Sequence, residues 1–123
     1  MRQQRISPNV ISTRKEDFFH KVHSVVMTIP YGKVTTYGHI ATVLGARLSA
    51  RIVGYALNAV SIDERRIIPC HRVVNRNGDL SGKMHFESPN AMREALEAEG
   101  VEFIGERVNI QKHLWIPDDS FIY

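Results

Sequence analysis

Apolar residues recur at helical intervals in four stretches of the chain, separated by shorter runs with a different rhythm. The first stretch opens at Thr13 and Glu16, which have capping-box spacing, and places Phe18, Phe19, Val22, Val25, Val26 and Ile29 on one face. Pro30 ends it, because proline pushes the residue before it out of the helical region. Tyr31-Gly32-Lys33 reads as a turn and Val34-Thr35 as a short extended piece. Thr36 is suited to cap a second helix carrying Ile40, Ala41, Val43 and Leu44, which Gly45 closes in the left-handed conformation open to glycine. After Ala46, Arg47 and Leu48, Ser49 caps a third helix with Ile52, Val53, Ala56, Leu57 and Val60 on one side. Two short helices joined by a tight turn make a helix-turn-helix pattern, a corner also found in many helical domains that never touch DNA.

Beyond the third helix the period changes. Arg65 to Val74 reads RRIIPCHRVV, with β-branched residues on both sides of Pro69-Cys70-His71, which predicts extended segments flanking a non-helical loop. Asn77-Gly78 is a turn signal, Leu80-Ser81-Gly82 starts a loop, and Ser88-Pro89 open a fourth helix that Gly100 closes. Val101 to Ile104 and Val108 to Ile110 are short extended pieces around Gly105, suited to a small hairpin or wing. The expected architecture is mainly α with minor β: a tail over residues 1–12, a folded domain over 13–116 and a second tail over 117–123.

Composition changes this picture little. Of 123 residues, 43% are hydrophobic and 24% charged, a globular balance that excludes wholesale disorder. A net charge of +3 permits a nucleic-acid partner without demanding one. The basic residues fall in groups (Arg2, Arg5, Arg14 and Lys15; Arg47 and Arg51; Arg65, Arg66, Arg72 and Arg76), while acids gather from Glu87 to Glu99, so one basic face is feasible. One cysteine precludes an internal disulfide and fits a reducing compartment. No apolar run approaches membrane-spanning length and no secretory signal is evident. The expected location is cytoplasmic, or nuclear in a eukaryote.

Three features bear on chemistry. The polar face of the third helix carries Arg51, Gly54, Tyr55 and Asn58, with the small Ala50 beside them. Glycine inside a helix costs about 1 kcal/mol relative to alanine. Either another surface approaches the backbone there, or this is a solvated face with a tolerated glycine. Cys70 is either a small buried hydrophobe or a nucleophile. Pro69 fixes the backbone that enters it, and His71 is a potential base; in an extended segment the two side chains point to opposite faces, so a bridging water is expected between them. One cysteine with scattered histidines lacks zinc-like spacing, and neither metal nor cofactor is expected. Glu99 continues the apolar stripe of Met92, Ala95 and Leu96, which leaves a carboxylate either paired with a residue such as His71 or escaping to water from the last turn.

The runs Ile29-Pro30-Tyr31-Gly32-Lys33-Val34-Thr35-Thr36-Tyr37-Gly38, Ala50-Arg51-Ile52-Val53-Gly54 with Ala56-Leu57, and Ile68-Pro69-Cys70-His71-Arg72-Val73-Val74 resemble the active domain of O6-alkylguanine-DNA alkyltransferases. Leu80-Ser81-Gly82 and Leu96-Glu97-Ala98-Glu99-Gly100-Val101 resemble its later motifs, and the likeness covers Asp17 to Phe103. The resemblance implies a winged helix-turn-helix domain of the alkyltransferase C-terminal type that extrudes a damaged guanine from duplex DNA. It implies that Cys70 accepts the alkyl group, that His71 and Glu99 draw off its proton through a water, and that Tyr37 assists guanine as leaving group. Arg51 would enter the base stack, with Thr36, Tyr37, Ala50, Gly54, Tyr55 and Arg72 contacting DNA beside it. A thiolate is the competent nucleophile, so the relay predicts a Cys70 pKa below the ordinary value of about 8.5.

The chain departs from the typical transferase in three places. The usual amino-terminal domain is not in this sequence. The connector from Leu57 to Ile68 is slightly longer and offers no match for the asparagine that commonly supports the cysteine. Lys83-Met84-His85-Phe86 follows Ser81-Gly82 in place of an aromatic or small-residue loop. Length and connector are similar to alkyltransferase-like proteins, which replace the cysteine, commonly by tryptophan, and hand the lesion to nucleotide excision repair. The expected function is therefore direct repair through Cys70 by a monomer acting on double-stranded DNA; the alternative is a non-enzymatic lesion sensor that recruits excision-repair proteins.

Overall fold

The computed structural model describes residues 8–45 and 49–118. Helix α1 (Pro8–Met27) leads through a turn to strand β1 (Thr35–Thr36), then to α2 (Tyr37–Leu44) and α3 (Ala50–Asn58). Strand β2 (Val73–Val74), α4 (Ala91–Ala98), the pair β3 (Phe103–Ile104) and β4 (Arg107–Val108), and the single turn α5 (Ile110–His113) follow. This is the expected mainly α fold with minor β, with β3 and β4 paired antiparallel as the expected small hairpin.

The expected caps on α2 and α3 form. Thr36 Oγ1 accepts from His39 N at 3.1 Å and Ser49 Oγ from Ile52 N at 3.3 Å. Each satisfies an amide that the first helical turn leaves without a partner. At the other end of α4, Gly100 (φ +85) lets Val101 N donate to Leu96 O and its own N donate to Glu97 O, a Schellman closure. The connection Ala46 to Leu48 lies outside the described residues.

Several boundaries differ from the pattern reading. α1 begins at Pro8, where the missing proline N–H costs a first turn nothing, so Thr13 lies within the helix. Gly45 takes φ 145 and ψ 141, outside the left-handed helical region. Ser88 and Pro89 sit in the turn before α4, and Ile110 opens a helical turn instead of extending β4. Ile52 is 38% exposed, because the buried arc of α3 is narrower and holds Val53, Ala56 and Leu57. The largest difference is the stretch before Val73. Ser61 and Glu64 cap each other, Ser61 N to Glu64 Oε1 at 2.9 Å and Glu64 N to Ser61 Oγ at 3.1 Å, and nucleate a 3₁₀ turn over Glu64–Arg66. A second 3₁₀ turn spans Cys70–Arg72, so only Val73–Val74 is extended.

That two-residue strand organises the interior. It pairs in parallel with β1, Thr35 opposite Val73 and Thr36 opposite Val74. Side chains alternate across a strand. Val73 accordingly joins the cluster of Val22, Val25, Val26, Ile29, Ile40, Val53, Leu57 and Cys70, and Val74 joins that of Val34, Met92, Leu96, Val101 and Val108. The pairing also sets the start of α2 beside the end of the Cys70–Arg72 turn.

The turn at Gly78 anchors the wing, with Val108 N donating to Gly78 O at 2.9 Å. Gly78 has φ +88, and a Cβ there would lie 2.5 Å from Val108 O. Gly78→Ala is expected to cost about 2–4 kcal/mol through strained φ and the displaced hairpin, read as a lowered midpoint in chemical denaturation.

Candidate functional site

Glu99 stands in the C-cap of α4, and its side chain is 7% exposed. His71 Nε2 donates to its Oε2 at 2.6 Å; Arg72 Nη2 donates to Oε2 at 2.8 Å and Nε to Oε1 at 3.0 Å; Gly32 N donates to Oε1 at 2.9 Å. The carboxylate does not escape to water. Burial alone would push its pKa up, but the bonds from Arg72, Gly32 and His71 outweigh this and hold it down to about 2. An ionised carboxylate only accepts, so His71 carries its proton on Nε2 and, as the neutral ring, has Nδ1 free to take another. That is the arrangement of a general base held by a carboxylate.

Cys70, at 4% exposure, is the first residue of the 3₁₀ turn that holds His71 and Arg72. Three residues per turn put neighbouring side chains about 120° apart, so Cys70 and His71 do not take the opposite faces expected of an extended segment. The thiol is not low in pKa as expected. Burial pushes it up to about 11, with the Arg65 cation pulling the other way and Glu64 adding to the rise. Desolvation disfavours the thiolate more than the surroundings restore it.

Tyr37, the first residue of α2, packs against the cluster that contains Cys70. Burial raises its pKa; a hydrogen bond from Ser81 lowers it, and Cys70 and Arg65 act on it with opposite signs. Tyr37 also lines a cleft of about 310 Å³ with Ala50, Arg51, Gly54, Asn58, Ser81, Gly82 and His85. The cleft thus joins the start of α2, the glycine-bearing face of α3 and the 80–85 loop. A Cβ on Gly82 would come within 3.0 Å of Tyr37 Oη, so glycine there leaves the hydroxyl its space. A Cβ on Gly54 would meet nothing within 4 Å among the described residues, so none of them requires that glycine. Arg51 and Tyr55 are exposed, and Arg51 Nε donates to Tyr55 Oη at 2.7 Å.

Two residues read as DNA contacts have other duties. Thr36 is 4% exposed and caps α2. Arg72 is turned inward onto Glu99 and Ile29 O, with Tyr31 against its guanidinium at 5.7 Å. Its side chain, 16% exposed, is not a free phosphate ligand. Sequence reasoning missed Ser81 and His85 as cleft residues and Arg65 as the cation near both Cys70 and Tyr37. Ser81 carried a signal in the Leu-Ser-Gly motif; Arg65 and His85 carried none.

The Glu99 clamp sets a pH dependence. Its pKa is about 2 in the fold against an ordinary 4.5, so its stabilisation is complete above about pH 4.5 and fades as pH falls toward 2. Glu99→Ala is expected to lower stability by roughly 3 kcal/mol at pH 7, because Arg72 and His71 lose their acceptor. The gap between wild type and variant in urea titrations should close as pH falls from 4.5 to 2; a gap constant across that range would show the carboxylate to be unpaired.

Residues 17–101 match the family model of the 6-O-methylguanine DNA methyltransferase DNA-binding domain. An alkyltransferase-like protein of Schizosaccharomyces pombe is 37% identical over 109 residues, which cover 85% of this chain and 99% of that protein. A DNA base-flipping protein of Escherichia coli is 38% identical over 110 residues, covering 88% and 82%. A methylated-DNA-protein-cysteine methyltransferase of Mycobacterium tuberculosis is 42% identical over 74 residues, 58% of this chain and 42% of that protein, so the match takes in less than half of that relative. Among solved structures, Schizosaccharomyces pombe Atl1 in complex with damaged DNA containing O6-carboxymethylguanine superposes with a TM-score of 0.69 at 35% identity, covering 83% of this chain and 97% of that one. Mycobacterium tuberculosis OGT in complex with DNA gives 0.56 at 39% identity over 68% of this chain and 49% of that one. The order of motifs, the fold and these matches agree: the chain belongs to the 6-O-methylguanine DNA methyltransferase DNA-binding domain family.

Proposed function

We propose that the protein recognises O6-alkylguanine in duplex DNA, receives the extruded base in the cleft beside Tyr37, and accepts the alkyl group on Cys70. The observation that carries this is the His71–Glu99 pair at 2.6 Å, built onto the same turn as the cysteine. A residue that only filled space would need no oriented base next to it. In the reaction the thiol loses its proton, sulfur bonds to the alkyl carbon, and the carbon–O6 bond breaks. Guanine takes the electron pair and one proton from the Tyr37 hydroxyl, and the proton that His71 took from the thiol through a water then replaces the one Tyr37 gave. The thioether is stable, so the protein acts once.

α3 supplies the approach to DNA. Gly54 costs the helix about 1 kcal/mol while no contact among the described residues asks for it, which supports close approach of a DNA backbone to that face. Arg51 must leave Tyr55 to enter the stack, giving up a hydrogen bond worth about 1 kcal/mol.

A second reading is a non-enzymatic sensor that passes the lesion to excision-repair proteins. It draws on the thiol held up at about 11 and on the full-length match to an alkyltransferase-like protein. Intact mass after incubation with O6-methylguanine duplex separates the two. Transfer gives a stoichiometric gain of one methyl, without turnover, that Cys70→Ser abolishes; tight binding with an unchanged mass leaves only the sensor. Tyr37→Phe should slow the gain in single-turnover kinetics while lesion binding stays near normal.

The α3 variants should behave differently from each other. Arg51→Ala should weaken binding to lesion duplex more than to plain duplex, by about tenfold or more, since extruding a base costs a few kcal/mol that the inserted side chain offsets. Gly54→Ala should stabilise the fold by about 1 kcal/mol yet weaken binding to both duplexes. Equal losses for Arg51→Ala on both duplexes would make it a phosphate contact only.

A further inference from the structure

Two arginines lie near the reacting groups, and they are held in opposite electrostatic states. Arg72 shares Glu99, so its charge is neutralised by a carboxylate at 2.8 Å. Arg65 makes no ion pair among the described residues. Its Nη2 donates to Leu57 O at 2.7 Å and its Nε to Val60 O at 3.2 Å. Its guanidinium carbon stands 4.7 Å from the centroid of the Phe86 ring. These carbonyls belong to the last turn of α3 and the residues just after it, where a cation is favourably placed against the helix dipole. The neighbouring carboxylate, Glu64, is bound to Ser61 N.

The anchors place this cation against the thiol's own surroundings. Leu57, Val60 and Cys70 are members of one buried cluster, and Phe86 packs on it. Arg65, Phe86 and His71 also line a common cleft of about 280 Å³. Backbone carbonyls and an aromatic face hold a guanidinium firmly without cancelling its charge. The field is therefore left to act on whatever lies nearby, here both Cys70 and Tyr37.

We propose that Arg65 is a positioning residue for the reaction at Cys70: a fixed, unneutralised cation that favours the thiolate and eases proton release from Tyr37, while tying the two ends of the 57–68 connector to each other. The proposal rests on Cys70 being the reacting group. Both Cys70 and Tyr37 must release a proton during alkyl transfer, and a cation near both favours both steps. Glu64 opposes it at the thiol, and His71 provides the base that receives the proton. The longer connector has a purpose in this arrangement, since Arg65 reaches back from its far end to the carbonyls at its near end.

The test uses iodoacetamide, which needs no DNA, and intact mass reads Cys70 directly because it is the chain's one cysteine. Labelling rates are compared from pH 7 to 10 for wild type, Arg65→Gln, Arg65→Met and Arg65→Lys, with thermal unfolding checked for each. Gln keeps a donor for Leu57 O without the charge, so it covers the case in which Met does not fold. Gln and Met should label about tenfold more slowly at every pH, one pKa unit, and Lys should recover most of the loss. Labelling of Gln or Met at or above the wild-type rate overturns the proposal, as does a Lys variant as slow as Gln. A wild-type protein whose labelling depends on Arg65 as described but that never gains methyl from lesion DNA fails the transferase reading, and leaves Arg65 a cation that acts on the thiol without a transfer to serve. Normal transfer with Arg65-independent labelling fails this proposal alone.

Discussion

The buried Glu99 carboxylate is the constraint around which the site is built. A charge taken out of water must find partners, and satisfying this one joins three separate parts of the chain. Gly32 brings the turn after α1, His71 and Arg72 bring the turn before β2, and Glu99 itself closes α4. Once the carboxylate is satisfied, these segments have little freedom left. The same bonds that hold the fold fix which nitrogen of His71 carries its proton. A second layer supports the first: Glu102 N donates to His113 Nε2 at 2.9 Å, so His113 Nδ1 bears the proton it donates to Gly32 O at 3.2 Å. The carboxyl-terminal turn α5 thereby steadies the peptide that meets Glu99.

The β1–β2 pair is small, yet it gives the site its coherence. Tyr37 follows β1 directly, and the Cys70–Arg72 turn precedes β2 directly. Two ladder positions therefore set the relation between Tyr37 and Cys70. Burial on both faces of Val73–Val74 makes slippage costly, because a shift by one residue would exchange the side chains of two different cores.

The sequence was most informative where a long face repeats. Val22, Val25, Val26 and Ile29 were legible as core, as were Val53, Ala56 and Leu57, because periodicity over several turns averages out single exceptions. Ile52 was misread because nine residues of α3 define the buried arc too loosely. The 3₁₀ turns were illegible to periodicity, being three residues each, although Ser61 and Glu64 carried a capping-box signal. Glu99 was ambiguous because a C-cap side chain can reach solvent, and only the tertiary approach of Gly32 and Arg72 closes that route. Arg72 and Thr36 were assigned outward for want of knowing their inward partners. The thiol's raised pKa depends on burial, which a loop-like local sequence concealed.

Cys70 is 4% exposed and predominantly protonated near neutrality. In the proposed transfer Cys70 is used only once, so it would be lost to the first electrophile that reaches it, whether a stray alkylating agent or a peroxide. Thiols react with either mainly as thiolates, so a secluded neutral sulfur has a long shelf life. On the proposed function, latency of this kind would protect each molecule until the correct lesion arrives, and it would make the contacts formed with that lesion responsible for waking the sulfur.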